Sequence, residues 1–591
     1  MFYNNYIHID TLTIMPLKKR KADLSKLPKI IQSDSTHVSL GDLHGNALKL
    51  IYVMIEEGVL ELEDDAGEDG MSAAEKYEGL RAIYYKRVDE LTKEDVAYFA
   101  AIIDNATVHN NKAVTLIGDE LADRGKNDYF TLLVLQKLKK AQVNIDIMVS
   151  NHSVEFIRDY EATKFTGIAR LQKGQGQSLA NMSKLIERGI IYDRDVRKIV
   201  DECYKDMVKA IGYSISSEGE VTLFTHAPVG LETIKSLANK FGVAYKDNSP
   251  KELIHTIDAI NAQVTDLFGR KQLAALIDQE RGFNIPHPGL PVPPESYPLW
   301  RLIWNREIGD ELITQPKGEF KVNFVHGHIG EGQVLQNGAF PIPSHKNLDS
   351  PFGKPGFEKT GPGAKHVTRH SSDLTAAELT EEKLTEISNR CLKAIAQEKL
   401  DRLEKKLKEN QQQFNTLLKD LKSKTDTLLE KGANNPKYKE VAESASKLIT
   451  ALEKGEDTFF NNEITLETFN TFQTTCQKAI TDAESTFVMH RSSWAEYSPT
   501  TKKILGILAL FGLGIAALIV QLASKKGYYE TFFDTPKPDS AEKLNIFEEK
   551  ISNTVFNNMQ SQLDIKTKLQ QHRDGLEQDA PENEDPLSTA Q

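Results

Sequence analysis

The sequence predicts an α/β region followed by an all-helical one. Between residues 35 and 340, short apolar runs ending in Gly, Asp, Asn or His alternate with segments of helical period. Beyond about residue 374, a 3-4 repeat of apolar positions replaces that alternation. At 591 residues the chain exceeds what one hydrophobic core holds, so two or three domains are expected.

In chain order, residues 1–35 read as an N-terminal extension. It contains the basic run Leu17-Lys-Lys-Arg-Lys-Ala22, either a nuclear signal or simply solvated charge. Residues 36–345 read as the α/β domain, with strands expected at Thr36–Leu40, Ala113–Ile117, Ile145–Val149, Val221–Thr225 and Val322–Val325. In α/β sheets ligands bind beyond the carboxyl ends of strands, so the polar clusters that follow these runs are candidates for one shared site. Residues 61–112 form an insert that opens with the acidic run Glu61–Asp69 and continues as helix, expected as a lid or substrate-selecting element. A Pro/Gly-rich stretch from Pro341 to Ser372 breaks all periodicity, and residues 346–373 are expected as a linker or a loop folding back.

Residues 374–490 read as a helical, coiled-coil-rich region. Leu400, Leu403, Leu407, Asn410, Phe414, Leu417, Leu421, Lys424 and Leu428 form its seam, ended by Gly432 to Pro436. A second helix, Tyr438 to Lys454, would return antiparallel, and a coiled-coil partner through 396–428 is the alternative. Within 503–523, Ile504 to Leu522 carries one polar side chain, Gln521, between the pairs Lys502-Lys503 and Lys525-Lys526. As a helix it would be roughly 28 Å long, a bilayer's hydrocarbon thickness, so membrane association through 504–522 is expected, against a buried soluble helix. Residues 524–591 form a polar, acidic tail.

Composition narrows the function. A net charge of −12 excludes a general nucleic-acid binder, which needs clustered Lys and Arg. Cys203, Cys391 and Cys476 are far apart, which gives no disulfide framework and no thiolate metal site. The opening residues, Met1 to Pro16, do not read as a secretory signal.

The chemistry-bearing segments are Gly41-Asp-Leu-His-Gly-Asn46, Gly118-Asp-Glu-Leu-Ala-Asp-Arg-Gly125, Ser150-Asn-His152, Thr225-His-Ala227 and Val325-His-Gly-His328. Each follows an apolar run. Together they supply carboxylates, an amide oxygen and imidazoles without a thiolate, a donor set for a pair of Mn, Fe or Zn ions rather than for a structural zinc site.

In the order and type of these segments, residues 36–335 resemble the phosphoprotein phosphatases within the calcineurin-like metallophosphoesterases. The resemblance implies a β-sandwich flanked by helices and two divalent metals, Mn above all. They would sit about 3.5–4 Å apart, clamp a phosphoryl group and activate water. It implies Asp42 and His44 on the first metal, Asp119 as bridge, and Asn151, His226 and His328 on the second. It further implies His152 as general acid oriented by Asp123, with Arg124 and Arg306 gripping the phosphate, Arg306 lying in Leu302-Ile-Trp-Asn-Arg-Glu307. The chain departs from the family pattern in three places. The segment Gly118–Gly125 is one residue longer than usual, which questions the Asp123–His152 pairing. Ser150-Asn-His-Ser153 lacks the usual Gly and Glu, for which Glu120 or Glu155 are candidate substitutes, and His326 competes with His328 as last ligand.

The layout is also similar to the Wip-type effector phosphatases of Legionella, in which a divergent phosphatase domain precedes a helical, coiled-coil-rich part. That resemblance implies a phosphoprotein substrate, type IV secretion into a host cell, and action in the host cytoplasm or on the cytosolic face of a host membrane. Two other functions stay open: a small-molecule metallophosphoesterase such as a dinucleoside-polyphosphate hydrolase, or a membrane-tethered scaffold with an inactive phosphatase fold.

Overall fold

The expected apolar runs all form strands in a computed structural model. It describes residues 17–486, apart from 66–69, 172–173, 283–296, 308–309, 331–341, 360–364 and scattered positions beyond 462. In chain order the strands are β1 (Lys18–Lys21), β2 (His37–Leu40), β3 (Leu60–Glu61), β4 (Thr107–Val108), β5 (Ala113–Leu116), β6 (Ile145–Met148) and β7 (Val208–Lys209). They continue with β8 (Gly212–Ile215), β9 (Val221–Phe224), β10 (Val322–His326), β11 (His345–Asn347), β12 (Lys365–Ser371) and β13 (Leu374–Thr375). One sheet runs β1-β12-β2-β5-β6-β7 and the other β11-β10-β9-β8-β13, while β3 and β4 pair by themselves. Strands β2, β5, β6 and β7 are parallel, as are β9, β10 and β11. β2, β5 and β9 are buried at every residue, as strands covered on both faces are.

The two sheets pack face to face. Ile117, Met148, Phe224, Val325, Leu348 and Val367 form a shared core drawn from both. His37 meets the Phe224 ring edge-on at 5.4 Å, and Arg369 of β12 lies 5.9 Å over the same ring. The result is a mixed α/β sandwich with helices outside, among them α1 (Ala47–Glu56), α2 (Ala73–Tyr85), α3 (Lys93–Asn105), α4 (Asp128–Lys140) and α5 (Ser153–Glu161). The insert supplies α2 and α3, each opened by a capping box, Ser72 with Glu75 and Thr92 with Asp95. Phe99 of α3 stacks on Phe130 of α4 at 4.3 Å, and Tyr84 accepts the Lys126 backbone N–H at 3.1 Å, so the insert rests beside the loop that carries Arg124.

Two expectations are corrected. Residues 346–373 are not a linker: β12 lies between β1 and β2, antiparallel to both, and β11 extends the second sheet. Polar side chains hid these strands, because their stabilisation comes from cross-strand partners and not from an apolar run. Nor is 1–35 a bare extension. The basic run forms β1, where Arg20 pairs with Glu57 at 3.1 Å and Lys18 with His370 at 3.1 Å, while Lys19 and Lys21 are exposed.

The chain divides into compact units at 1–392 and 393–591. Helix Glu381–Asn434 begins in the first unit, where Leu384, Ile387 and Cys391 are buried and Lys251 pairs with Glu381 at 2.5 Å. In the second unit Phe414, Leu418, Leu421 and Leu428 pack against Ala442, Ala445, Ile449 and Leu452 of helix Lys439–Phe460. This is the intramolecular hairpin. The expected membrane segment at 503–523 and the tail at 524–591 lie outside the described residues, and among the described residues no helix is long and apolar enough to cross a membrane.

Candidate functional site

The carboxyl ends of β2, β5, β6, β9 and β10 open on one side of the sandwich and lead into Asp42, Asp119, Asn151, His226 and His328. Close backbone approach explains the glycines. A Cβ on Gly41 would lie 1.9 Å from the Leu348 carbonyl, and one on Gly125 would lie 1.6 Å from that of Gly45. His44, Asp119, Ala122 and His328 all adopt left-handed backbone, with φ of 58°, 54°, 54° and 64°. Such conformations cost about 1–3 kcal/mol each and persist only where the surroundings enforce them, typically at functional sites.

The arrangement is rich in acceptors and poor in donors. Asp42 accepts the His328 backbone N–H at 3.1 and 3.3 Å through its two oxygens. Burial, then the charges of Asp349 and Asp119, push its carboxyl well above the usual range. His44 Nε2 donates to the Ser350 carbonyl at 2.8 Å, which leaves Nδ1 bare, 3.4 Å from Asp123 Oδ2. His226 Nδ1 donates to the Ile117 carbonyl at 2.9 Å, so its Nε2 lone pair faces Asn151 Oδ1 at 2.7 Å and Asp119 Oδ1 at 3.5 Å. Asp119 Oδ1 and His44 Nδ1 are buried without a hydrogen-bond partner. Burial also lowers the pKa of both imidazoles and favours their neutral, ligating form.

Lone pairs converging on one another without protons between them fit a bound cation. Ligand atoms of Asp42, His44 and Asp349, and those of His44, Asp119 and Asp123, lie within 4.8 Å of one another, close enough for each trio to hold a metal ion.

The remaining expected residues divide. His152 Nδ1 donates to the Ala122 carbonyl at 3.0 Å, with Asp123 Oδ1 farther away at 3.5 Å, and Nε2 lies 3.9 Å from Asp119 Oδ2. The extra residue in Gly118–Gly125 is absorbed by the left-handed Ala122, whose N–H both oxygens of Asp128 accept at 3.1 and 3.0 Å. Asp123 takes Arg124 at 2.8 Å; burial opposes its ionisation, but His152, His44 and Arg124 outweigh that and hold the carboxyl well below the usual range. Arg306 Nε donates to His328 Nε2 at 3.1 Å, and His328 also bonds the Trp304 backbone. His328 therefore stands beside His226, ring centroids 4.9 Å apart, with its ring nitrogens engaged by Arg306 and Trp304. His326 instead turns toward His345, 6.0 Å away, so His328 is the histidine at the cluster. Glu155 is engaged by Arg158 and by the Arg170 N–H, and Glu120 by the Tyr204 hydroxyl.

Sequence reasoning missed Asp349. It follows β11 as Asp42 follows β2, but His345-Lys-Asn347 is too polar to register as a strand. The repeated strand-then-Asp pattern at Asn347-Leu-Asp349 was the available signal.

Residues 113–354 match the family model described as WipA-like, phosphatase domain. Among solved structures, the chain is similar to the crystal structure of the phosphatase domain from the Legionella effector WipB. Identity is 28%, coverage is 50% of this chain and 99% of that one, and the TM-score is 0.43. No curated protein matches. The family match opens at β5, so Asp42 and His44 enter the cluster from outside the matched segment.

Proposed function

We propose that this chain, which carries a WipA-like phosphatase domain at 113–354, is a metal-dependent protein phosphatase that hydrolyses phosphoserine or phosphothreonine, or phosphotyrosine. The observation that carries the proposal is the buried, proton-free convergence of His226 Nε2, Asn151 Oδ1 and Asp119 Oδ1 beside His44 and Asp42. Together with the two-sheet sandwich, it supports the calcineurin-like assignment and two divalent cations, Mn foremost and Fe or Zn as alternatives. Asp42, His44 and Asp119 would hold one, and Asp119, Asn151 and His226 the other, with His328 joining them where its Nε2 gives up the Arg306 hydrogen bond. Bound there, divalent ions supply Lewis acidity, neutralising phosphoryl charge and lowering the pKa of water.

The chain's own residues do the rest. Arg124, 30% exposed and tied to Asp123, presents its outward N–H groups to the phosphate. Arg306 does the same from beside His328. His152, with Nδ1 fixed by the Ala122 carbonyl, would donate to the leaving oxygen from Nε2 as the imidazolium, whose charge Asp123 at 3.5 Å and Asp119 at 3.9 Å would balance. The insert beside Arg124 is placed to select among protein substrates. The family relationship further supports a secreted effector acting in a host cell. Membrane association through 504–522 is part of this proposal.

The test is turnover by the full-length chain, metal-stripped and reloaded with Mn, on phosphoserine, phosphotyrosine and dinucleoside-polyphosphate substrates. Activity on phosphopeptides should return with metal, and Asp119→Ala or Asn151→Ala should lose metal content and several orders of magnitude in rate while keeping the fold. Full turnover by metal-free Asp119→Ala would end the proposal. Activity on dinucleotides alone would reassign the substrate.

A further inference from the structure

The loop after β11 is riveted to the segment that carries Asp42 and His44. Leu348 N–H donates to the His326 carbonyl at 2.7 Å, and the Leu348 carbonyl occupies the space where Gly41 lacks a Cβ. The Ser350 carbonyl accepts from His44 Nε2 at 2.8 Å, that of Phe352 from Lys49 Nζ at 2.8 Å, and that of Gly353 from Asn46 Nδ2 at 2.8 Å. Asp349 sits inside this clamp, 4% exposed, with its N–H given to Asn347 Oδ1 at 3.0 Å. Its Oδ1 has no hydrogen-bond partner. Among the described residues, the basic side chains nearest to it are His44, with Nε2 at 3.7 Å, and Lys354, with Nζ at 4.0 Å, both beyond hydrogen-bond length.

A buried, rigidly held carboxylate oxygen without a donor is costly unless a cation completes it. Asp349 shares its surroundings with a second buried carboxylate, since Asp42, His44 and Asp349 offer ligand atoms all within 4.8 Å of one another. Lys49, the buried ammonium nearby, donates to the Asp42 and Phe352 carbonyls at 2.6 and 2.8 Å, and Asp349 Oδ1 stays without a donor.

We propose that Asp349 is a carboxylate ligand of the metal centre, holding the cation on the Asp42–His44 side from the end of β11. The proposal rests on the metal-dependent reading above and adds to it a ligand from the segment that returns through the sheet. Two carboxylates and an imidazole on that side form a hard, oxygen-rich set, suited to Mn over Zn.

The test is calorimetric titration of the metal-stripped, full-length chain with Mn, with bound metal counted by elemental analysis. Asp349→Asn should weaken one of two Mn equivalents by at least about tenfold, and Asp349→Glu, which keeps the charge, should recover part of that loss. Metal-free Asp349→Asn should melt no lower than wild type, since it removes like-charge repulsion with Asp42; Asp349→Ser provides the same reading should the amide pack badly. A wild-type chain that takes up no Mn overturns the metal-dependent reading itself. Two Mn equivalents bound by Asp349→Asn with wild-type affinity overturn the role of Asp349 alone.

Discussion

His152 shows how one residue can be legible in type and not in setting. Its identity and place after β6 follow from Ser150-Asn-His152, but its orienting partner does not. The carbonyl of Ala122, at 3.0 Å from Nδ1, is nearer than the Asp123 carboxylate at 3.5 Å. A backbone carbonyl in a left-handed turn leaves no mark in a sequence, whereas an Asp does. With Nδ1 fixed, Nε2 is the nitrogen available for proton transfer. His152→Asn should therefore slow release of a poor leaving group, such as an alkyl alcohol, far more than release of an activated aryl oxide that needs little protonation. The expected difference is about 10²–10⁴-fold, read from single-turnover rates on the two substrates. Equal loss on both would assign His152 to binding or metal retention.

At the scale of elements, strands were readable where they are apolar. Val221–Phe224 and Ala113–Leu116 announce themselves because both faces of a parallel strand are covered, so every residue is buried. Strand β12, Lys-His-Val-Thr-Arg-His-Ser, is buried at five of its seven positions and yet looks like linker, because its polar groups are answered by distant residues such as Glu57 and Thr222. Missing β12 meant missing the loop before it, and with it Asp349. The helical hairpin was readable for the opposite reason: its 3-4 pattern is local, and Leu421, 2% exposed, packs with Ile449 and Leu452 in the return helix. Leu421→Ala should cost about 2–5 kcal/mol, read as a lower denaturant midpoint for the helical signal. Because residues 1–392 are compact by themselves, phosphatase activity should keep its own midpoint. A parallel fall in both would mean that the units unfold as one.

Across the whole first unit, buried charge is treated in opposite ways at two places. Around Glu57, at the end of α1, every charge is answered: Arg20 of β1 at 3.1 Å, Lys112 before β5 at 3.2 Å and His370 of β12 at 2.9 Å. At Asp119 and Asp349, one carboxylate oxygen each is left without a donor. The first pattern ties β1, β12 and the lead into β5 to α1, and the second fits a cation. The difference predicts acid behaviour. Burial works against ionisation of Glu57, but the hydrogen bond and charge of His370, then Lys112, outweigh it and bring the carboxyl down to about 2, from the 4.5 of a free glutamate. A depressed carboxylate pKa stabilises the fold fully above the unfolded value and ceases to do so as pH falls through the folded one. Glu57 should thus contribute on the order of 3 kcal/mol at neutral pH, lost progressively between about 4.5 and 2. Glu57→Gln should lower neutral stability by a comparable amount, because it leaves Lys112 without its counter-charge and Arg20 with only Glu56 at 3.8 Å, and should flatten the dependence of stability on pH across that window. Denaturant midpoints of the metal-free chain at pH 7, 4.5 and 3 measure both effects. A variant that keeps the wild-type acid slope would move the acid sensitivity away from this junction of β1, α1 and β12.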